Sequence, residues 1–198
     1  MVLPAPLFAF LCNRLVFVFH AAFFAHEHLL AFFNLFYHTI YIAGGIYKIM
    51  EAKRYFLVFF PLLFFSFLLN FIWESIHAVY LYEGHSSFAA EMYVSMVIYA
   101  SSVDASLILA IYLIVAIFFQ NVLWLRKISR SHLVLFSVSG IIIAAFIEYR
   151  AVFIFDKWAY SELMPTIFGI GLSPLIQLAV TGMLAVYLAG IFGKDFKV

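Results

Sequence analysis

Four long apolar runs constrain the fold of this chain more than any other feature of its sequence. A helix that crosses a bilayer needs about 20 mostly apolar residues, and the runs occupy residues 56–73, 106–124, 133–149 and 167–192. Each run is continuously apolar rather than alternating, which favours helices over membrane strands. The stretch before the second run, residues 87–100, carries Glu91, so we expect it to form a tilted or interfacial segment. The sequence therefore predicts an all-α, polytopic integral-membrane helix bundle with four core transmembrane helices.

The composition excludes several other classes of protein. Of the 198 residues, 67% are hydrophobic and 11% are charged, whereas a soluble domain is nearer half apolar and a quarter charged. Disorder needs low hydrophobicity and high net charge, and nucleic-acid binding needs a basic excess, but the formal net charge is +1. A single cysteine, Cys12, excludes an internal disulfide and a Cys-x-x-Cys redox centre. The lipid bilayer is therefore an expected partner, and nucleic acid is not.

The lysines and arginines between the runs predict the orientation, because short cytoplasmic loops are enriched in them. If the first run is entered from the cytoplasm, that side holds eight basic residues: Lys48, Lys53, Arg54, Arg126, Lys127, Arg130, Lys194 and Lys197. The other side holds Arg150 and Lys157. The sequence thus predicts a multi-pass protein of the cell membrane with its C-terminus in the cytoplasm.

Residues 1–49 form a hydrophobic N-terminal extension, which we separate from a transmembrane core at residues 50–198. Two stretches of the extension, residues 15–24 and 29–47, are apolar enough to add one or two further helices. A second interpretation is that Met50, just before a basic pair, is the true start of the protein. The extension would then be a mis-assigned upstream segment. The sequence leaves both interpretations open.

Polar and ionisable side chains gather at the extracytoplasmic end of the predicted helices. Four of them follow the i, i+3, i+4, i+7 spacing of one helix face: Asn70, Trp73, Glu74 and His77. Others lie at the same level, in the outer loop or deeper in the last helix: Asp104, Glu148, Arg150, Trp158 and Gln177. An ionisable group within a membrane is costly unless it faces the bundle interior and is paired. We therefore predict Glu74, His77 and Asp104 as catalytic residues and the other six as binding residues.

Three interpretations of this predicted cluster are open. In the first, Glu74 and His77 form a Glu-x-x-His pair, which presents both side chains to one metal ion. Asp104 and Glu148 would then complete an oxygen-rich set suited to Fe, Mn or Zn. In the second, Glu74 and His77 act as general acid and base on a lipid or isoprenoid substrate that enters from the outer leaflet. In the third, Arg150 pairs with Glu74 or Asp104 in a structural network that fixes the register of the helices.

The favoured functional prediction is a membrane protein with a polar pocket open to the outer leaflet, which binds or acts on a lipophilic small molecule. The alternative is a transport or accessory subunit whose polar cluster serves an ion or proton step, or only packing. The nearly apolar cytoplasmic halves of the helices count against a channel formed by one copy. The sequence does not decide whether the chain is an enzyme, which cofactor or metal it holds, or whether it forms an oligomer.

Overall fold

The computed structural model describes residues 46–84 and 88–194, with side chains described within residues 55–84 and 88–192. The predicted extension, residues 1–49, lies outside this part of the chain except for the first turn of a helix. The described chain is mostly helical. Its four long helices are α1 (Ile46–Tyr80), α2 (Ala90–Phe118), α3 (Arg130–Tyr149) and α4 (Leu172–Lys194).

Each long helix contains a segment that is long and apolar enough to cross a membrane: Tyr55–Tyr80, Ala90–Phe118, Arg130–Ile154 and Leu172–Phe192. The prediction of four such helices is confirmed by their length and composition. The surface of α1 illustrates their character, because large apolar side chains are exposed at every fourth residue: Phe56, Phe60, Phe64, Leu68, Ile72 and Ile76. A continuous apolar stripe of this kind is unfavourable in water and suits an apolar environment.

Consecutive helices of the bundle run antiparallel, and so do α1 and α4. Between α1 and α4, Asn70 bonds to Gln177, whereas the earlier Phe65 contacts the later Phe192. We call the end formed by the last turns of α1 and α3 and the first turns of α2 and α4 the polar end. The opposite end, where residues 126–130 connect α2 to α3, is the basic end.

The helix α2 is continuous, which corrects the predicted division between an interfacial segment at residues 87–100 and a separate span. No glycine or proline interrupts it. The hydroxyls of Ser101, Ser102 and Ser106 each donate to a backbone carbonyl one turn earlier in the helix. Their polar groups are therefore satisfied within the helix, which does not need to break where they occur.

A compact aromatic turn connects α2 to α3 at the basic end. The prediction placed Trp124 in the second span, but α2 ends before it, because Gln120 takes a φ of 51° that does not continue a right-handed helix. The short 3-10 helix Trp124–Lys127 follows. Trp124 is buried, with its ring stacked 4.7 Å from that of Tyr112 and 5.1 Å from that of His132. The indole is therefore part of the core.

A two-stranded hairpin precedes α4, which corrects the predicted start of the last span at residue 167. Strand β1 (Thr166–Ile167) pairs antiparallel with β2 (Ile170–Gly171). The two residues between them, Phe168 and Gly169, have φ values of 52° and 77°, and a two-residue type I′ turn requires positive φ at both positions. The side chains of this segment are as apolar as those of a membrane span, although its backbone forms a hairpin.

The loop after α3 is fastened to the end of α1. A π turn, Arg150–Ile154, extends α3, and the loop then forms an antiparallel β-bridge between Tyr82 and Tyr160. Two backbone hydrogen bonds of 3.0 Å, between residues 81–83 and 159–161, flank this bridge. Both tyrosines are thereby held at the polar end, above the ends of the helices.

Glycines let α4 approach α3 closely. A Cβ atom on Gly140 of α3 would lie 3.2 Å from the backbone nitrogen of Ala179, and a Cβ atom on Gly182 of α4 would lie 2.6 Å from the ring of Phe136. Contact this close leaves no space for a side chain at Gly182. With α4 held in this position, its polar residues face α1 and α2.

Candidate functional site

One amide nitrogen joins three helices at the polar end. Nε2 of Gln177 in α4 lies 2.6 Å from Oε1 of Glu74 in α1 and 2.8 Å from Oδ2 of Asp104 in α2. It also lies 3.1 Å from Oδ1 of Asn70, one turn before Glu74. An amide nitrogen carries two hydrogens, so three acceptors compete for two donors. Glu74 and Asp104 lie close together, since both accept from the same nitrogen.

The hydrogen bonds continue towards the middle of the bundle. The Thr181 hydroxyl lies 3.1 Å from Oδ1 of Asn70 and 2.8 Å from the carbonyl oxygen of Gln177. Nδ2 of Asn70 donates to the carbonyl oxygen of Ser66 at 2.8 Å. These residues are one helical turn apart on α1 and on α4, so the two helices face each other along a polar strip. The strip ends near Ser66, whose buried hydroxyl has no hydrogen-bond partner among the described residues.

The imidazole of His77 is buried without hydrogen bonds. His77 is 3% exposed, and neither ring nitrogen has a hydrogen-bond partner in the described part of the chain. Nδ1 points towards the carboxylate of Glu74, 3.8 Å from Oε1, and the ring packs 4.8 Å from that of Tyr82. Because buried polar atoms nearly always have a partner, these two nitrogens beside a carboxylate mark a place where a polar group would be recognised.

Glu148, at the end of α3, holds the loop over the site. Its side chain is buried, with 5% exposure, and its Oε2 accepts a short hydrogen bond from the Tyr160 hydroxyl and a 3.4 Å bond from Nε1 of Trp158. Tyr82 packs against both of these rings, at 5.9 Å from Trp158 and 5.7 Å from Tyr160. We call Tyr82, Trp158 and Tyr160 the aromatic wall.

The electrostatics of the aromatic wall connect it to all three carboxylates. Burial raises the pKa of the Tyr82 phenol, and the nearby carboxylates of Glu148, Glu74 and Asp104 raise it further. Burial also raises the pKa of Tyr160, and its hydrogen bond to Glu148 acts in the same direction. Both phenols therefore keep their protons at neutral pH, and that of Tyr160 donates to Glu148.

The residues just described form one site, which we call the polar cluster: Asn70, Glu74, His77, Asp104, Glu148, Gln177 and Thr181. The structure thus brings together all three predicted catalytic residues and three of the six predicted binding residues. A fourth, Trp158, lies in the aromatic wall against Glu148.

The remaining two predicted binding residues have other surroundings. Trp73 is half-buried, and its Nε1 has no hydrogen-bond partner among the described residues. The Arg150 guanidinium lies over the rings of Phe146 and Phe155, with its Cζ 5.6 Å and 5.0 Å from their centroids. Arg150 keeps α-helical φ and ψ, and its amide donates to the carbonyl oxygen of Phe146, so its side chain follows that of Phe146 by one helical turn. Glu74 and Asp104 both accept from Gln177.

Sequence reasoning missed Thr181 of the polar cluster and two members of the aromatic wall, Tyr82 and Tyr160. Thr181 carried a detectable signal, because it lies one helical turn after Gln177 and so shares its face. Tyr82 carried none, since it lies beyond the end of α1 and reaches the site only through its bridge to a residue 78 positions later. The pairing of distant loops is not visible in hydropathy or in helical spacing.

Among the residues that the structure describes, no three His, Cys, Asp or Glu side chains are placed so that they could hold a metal ion. The carboxylates of Glu74 and Asp104 are instead bridged by the amide of Gln177. The arrangement is that of a hydrogen-bonded acidic site with a neighbouring imidazole.

Comparisons with protein-family models, with curated proteins and with solved structures found no match to this chain.

Proposed function

We propose that the chain is a multi-pass protein of the cell membrane, with the basic end and the C-terminus in the cytoplasm and the polar end outside. Two observations support this proposal, the first the location in a membrane and the second the orientation. The exposed surfaces of the helices carry large apolar side chains, including a full stripe on α1. The connection at the basic end carries Arg126, Lys127 and Arg130, and short basic connections stay in the cytoplasm.

We further propose that the polar cluster binds the polar end of a lipophilic substrate and performs acid–base chemistry on it. The observation that supports this most strongly is the environment of His77, a buried imidazole with two unbonded nitrogens, 3.8 Å from a carboxylate. A histidine and a carboxylate in this relation form an acid and a base that can exchange protons with a bound group.

The residues of the polar cluster then take distinct roles in this proposal. His77 and Glu74 transfer protons to and from the substrate. Gln177 holds Glu74 and Asp104 in place through its amide. Glu148 fixes the aromatic wall, which covers the site from the loop side. The route of entry is from the outer leaflet, since the substrate is apolar.

A transport or accessory subunit is the second candidate. The polar strip from Glu74 through Asn70 to Ser66 favours it, because it carries hydrogen-bonding groups from the polar end into the middle of the bundle. Below Ser66, however, the core is formed by apolar and aromatic side chains: Val58, Phe59, Leu62, Ile108, Tyr112 and Phe136. A transport path needs polar groups through the full thickness, so a site closed on one side is favoured.

A comparison of the lipophilic molecules in cells that express the chain or its variants tests the proposal. We would compare the wild type with Glu74→Gln and with Glu91→Gln, a matched change at an exposed glutamate at the same end of the bundle. We expect at least one lipophilic species whose abundance, or whose co-purification with the protein, is the same for the wild type and Glu91→Gln but differs for Glu74→Gln. Identical lipid profiles in all three cell lines would overturn it.

A further inference from the structure

The polar cluster is rich in hydrogen-bond acceptors and negative charge. Three carboxyl groups, of Glu74, Asp104 and Glu148, are assembled at one site, where Glu148 is buried and the other two are half-buried. They accept hydrogen bonds from neutral groups: the amide of Gln177, the phenol of Tyr160 and the indole of Trp158. Burying carboxylates without a cation is costly, and neutral hydrogen bonds offset only part of that cost.

The unused hydrogen-bonding capacity of the site is also mostly acceptor capacity. The two hydrogens of Gln177 can serve Glu74 and Asp104, since Oδ1 of Asn70 is also within reach of the Thr181 hydroxyl. A carboxylate has about four lone-pair sites, so one hydrogen for each carboxylate leaves acceptor capacity on both. His77 is nine-tenths buried or more and points its Nδ1 towards Glu74. A neutral imidazole has one acceptor nitrogen, and in His77 that nitrogen has no donor among the described residues. A group with several N–H donors would satisfy these atoms.

The aromatic wall adds an independent preference for a cation. The rings of Tyr82, Trp158 and Tyr160 pack next to the same carboxylates. The faces of such rings carry negative potential and attract ammonium groups. An anionic head group such as a phosphate would instead meet three carboxyl groups.

We infer that the polar end of the substrate is an ammonium group, so that the polar cluster selects a lipophilic amine over a lipophilic alcohol, acid or phosphate. This inference rests on the proposed function and specifies its substrate class. The ammonium lies among Glu74, Asp104 and His77, donates to their free acceptors, and is flanked by the aromatic wall. The alkyl part extends along the apolar surface of the helices.

The inference is tested by the binding of three probes that share the same alkyl chain and differ in their head group. The purified full chain in a nonionic detergent is titrated at neutral pH with dodecylamine, dodecanol and dodecyl phosphate, and binding is measured by calorimetry and by the shift in unfolding temperature. An alkylamine is protonated under these conditions. We expect dodecylamine to bind at least about tenfold more tightly than the other two probes. We expect Glu74→Gln and Asp104→Asn to lose that preference, and Glu91→Gln to keep it.

The failures are distinguishable. If dodecanol binds as tightly as dodecylamine and both are lost in Glu74→Gln, the inference is wrong, while the proposed lipophilic site stands. If Glu91→Gln weakens dodecylamine binding as much as Glu74→Gln does, the amine adsorbs as a surfactant and the inference is wrong. If no probe binds in a way that depends on the cluster, the inference is wrong, and the lipid comparison decides the proposed function separately.

A second pair of variants tests the same point without removing a carboxylate. Gln177→Lys puts a tethered ammonium beside Glu74 and Asp104, whereas Gln177→Met keeps a similar length without charge. We expect Gln177→Lys to unfold at a temperature equal to or above that of the wild type and to lose dodecylamine binding. Gln177→Met should unfold at a lower temperature. A Gln177→Lys protein that unfolds as early as Gln177→Met would overturn the preference for a cation.

Discussion

Glu74 and Asp104, on two different helices, hold the same amide nitrogen between them. The distances from Nε2 of Gln177 are 2.6 Å and 2.8 Å, so one side chain of α4 separates and satisfies two neighbouring carboxyl groups. A hydrogen bond to a charged acceptor is stronger than one between neutral groups. Gln177 therefore joins α1, α2 and α4 by hydrogen bonds at the polar end.

The first prediction concerns the removal of this amide. Gln177→Leu leaves Glu74 and Asp104 adjacent and half-buried without the amide between them. We expect the free energy of unfolding to fall by about 1–3 kcal/mol or more, the cost of unsatisfied buried polar groups. Gln177→Glu should be worse than Gln177→Leu, because it adds a third carboxyl group. Denaturant unfolding in detergent at neutral pH measures both.

The double variant of Gln177→Leu with Asp104→Leu provides the control. If the loss arises from the unsatisfied carboxylates, removing one of them should recover part of it, and the coupling appears in a double-mutant cycle. Strictly additive losses would mean that Gln177 acts through packing alone.

The second prediction concerns the contact between α3 and α4. A Cβ atom at Gly182 would lie 2.6 Å from the ring of Phe136, whereas a Cβ atom at Gly190 of the same helix would have its nearest neighbour at 3.5 Å. We expect Gly182→Ala to destabilise the protein by about 1–3 kcal/mol through overpacking. Gly190→Ala should be neutral or stabilising, since alanine favours a helix by up to about 1 kcal/mol. Equal effects in thermal unfolding would contradict the close packing.

Much of the helical architecture could be predicted from the sequence, because apolar length is read directly. The shared face of Asn70, Glu74 and His77 was also predictable, since helical spacing alone determines it. What hydropathy could not predict was the direction of the backbone within apolar segments. Phe168 is as apolar as a residue of a span, yet it has positive φ and lies in a hairpin turn. Glycine at position 169 was the available signal for that turn.

The depth of the polar residues along the bundle could be predicted from the sequence, but the contacts between them could not. Gln177 was expected deep in the last helix, but its role as a common donor depends on the rotation of α4 relative to α1 and α2. That rotation follows from packing at Gly140 and Gly182, which no local pattern encodes. For Arg150, only the depth was predicted. Its side chain follows that of Phe146 by one helical turn, and the π turn brings Phe155 beside it, since the amide of Phe155 donates to the carbonyl oxygen of Arg150. The guanidinium lies over both rings.

The third prediction is an alkaline loss of stability. The pKa of Tyr82 is raised in the folded state, by burial first and by Glu148 and the other carboxylates next, from an ordinary value of 10.0. The unfolded chain therefore releases this proton first as the pH rises above 10.0, while the folded chain retains it. Stability is fully present below that pH and falls above it, since the folded state then binds more protons.

Unfolding temperatures measured from neutral pH to beyond pH 10.0 check this prediction. Tyr82→Phe should show a shallower alkaline decline than the wild type. Tyr187→Phe, which removes a hydroxyl from an exposed residue of α4, controls for the loss of a phenol as such. If the unfolding temperatures of Tyr82→Phe and Tyr187→Phe fall equally with pH, the pKa of Tyr82 does not contribute to the alkaline loss of stability.

The fourth prediction concerns orientation. With the basic end in the cytoplasm, a cysteine at Ser131 lies inside and one at Glu162 lies outside; both positions are exposed in the structure. In a Cys12→Ser background, an impermeant thiol reagent applied to intact cells should label Glu162→Cys and leave Ser131→Cys unlabelled until the cells are opened. Labelling of Ser131→Cys alone in intact cells would reverse the proposed orientation.

The last prediction separates chemistry from packing at His77. Because neither ring nitrogen is hydrogen-bonded among the described residues, His77→Phe keeps the ring contact with Tyr82 and gives up only the 3.8 Å approach to Glu74. We expect it to cost no more than about 1–3 kcal/mol of unfolding free energy, because the phenyl ring is larger than the imidazole and overpacks a buried position. His77→Ala leaves a cavity and should cost about 2–5 kcal/mol.

Under the proposed function, both variants lose the lipid change that the wild type produces, because both remove the acid–base group. The comparison of His77→Phe with the wild type is therefore decisive. If the His77→Phe protein stays folded but lacks the effect of the wild type on lipophilic molecules, His77 is a functional residue. A His77→Phe protein that keeps the full effect would assign the imidazole to packing against Tyr82. The acid–base proposal would then fail even if the site binds a lipophilic molecule.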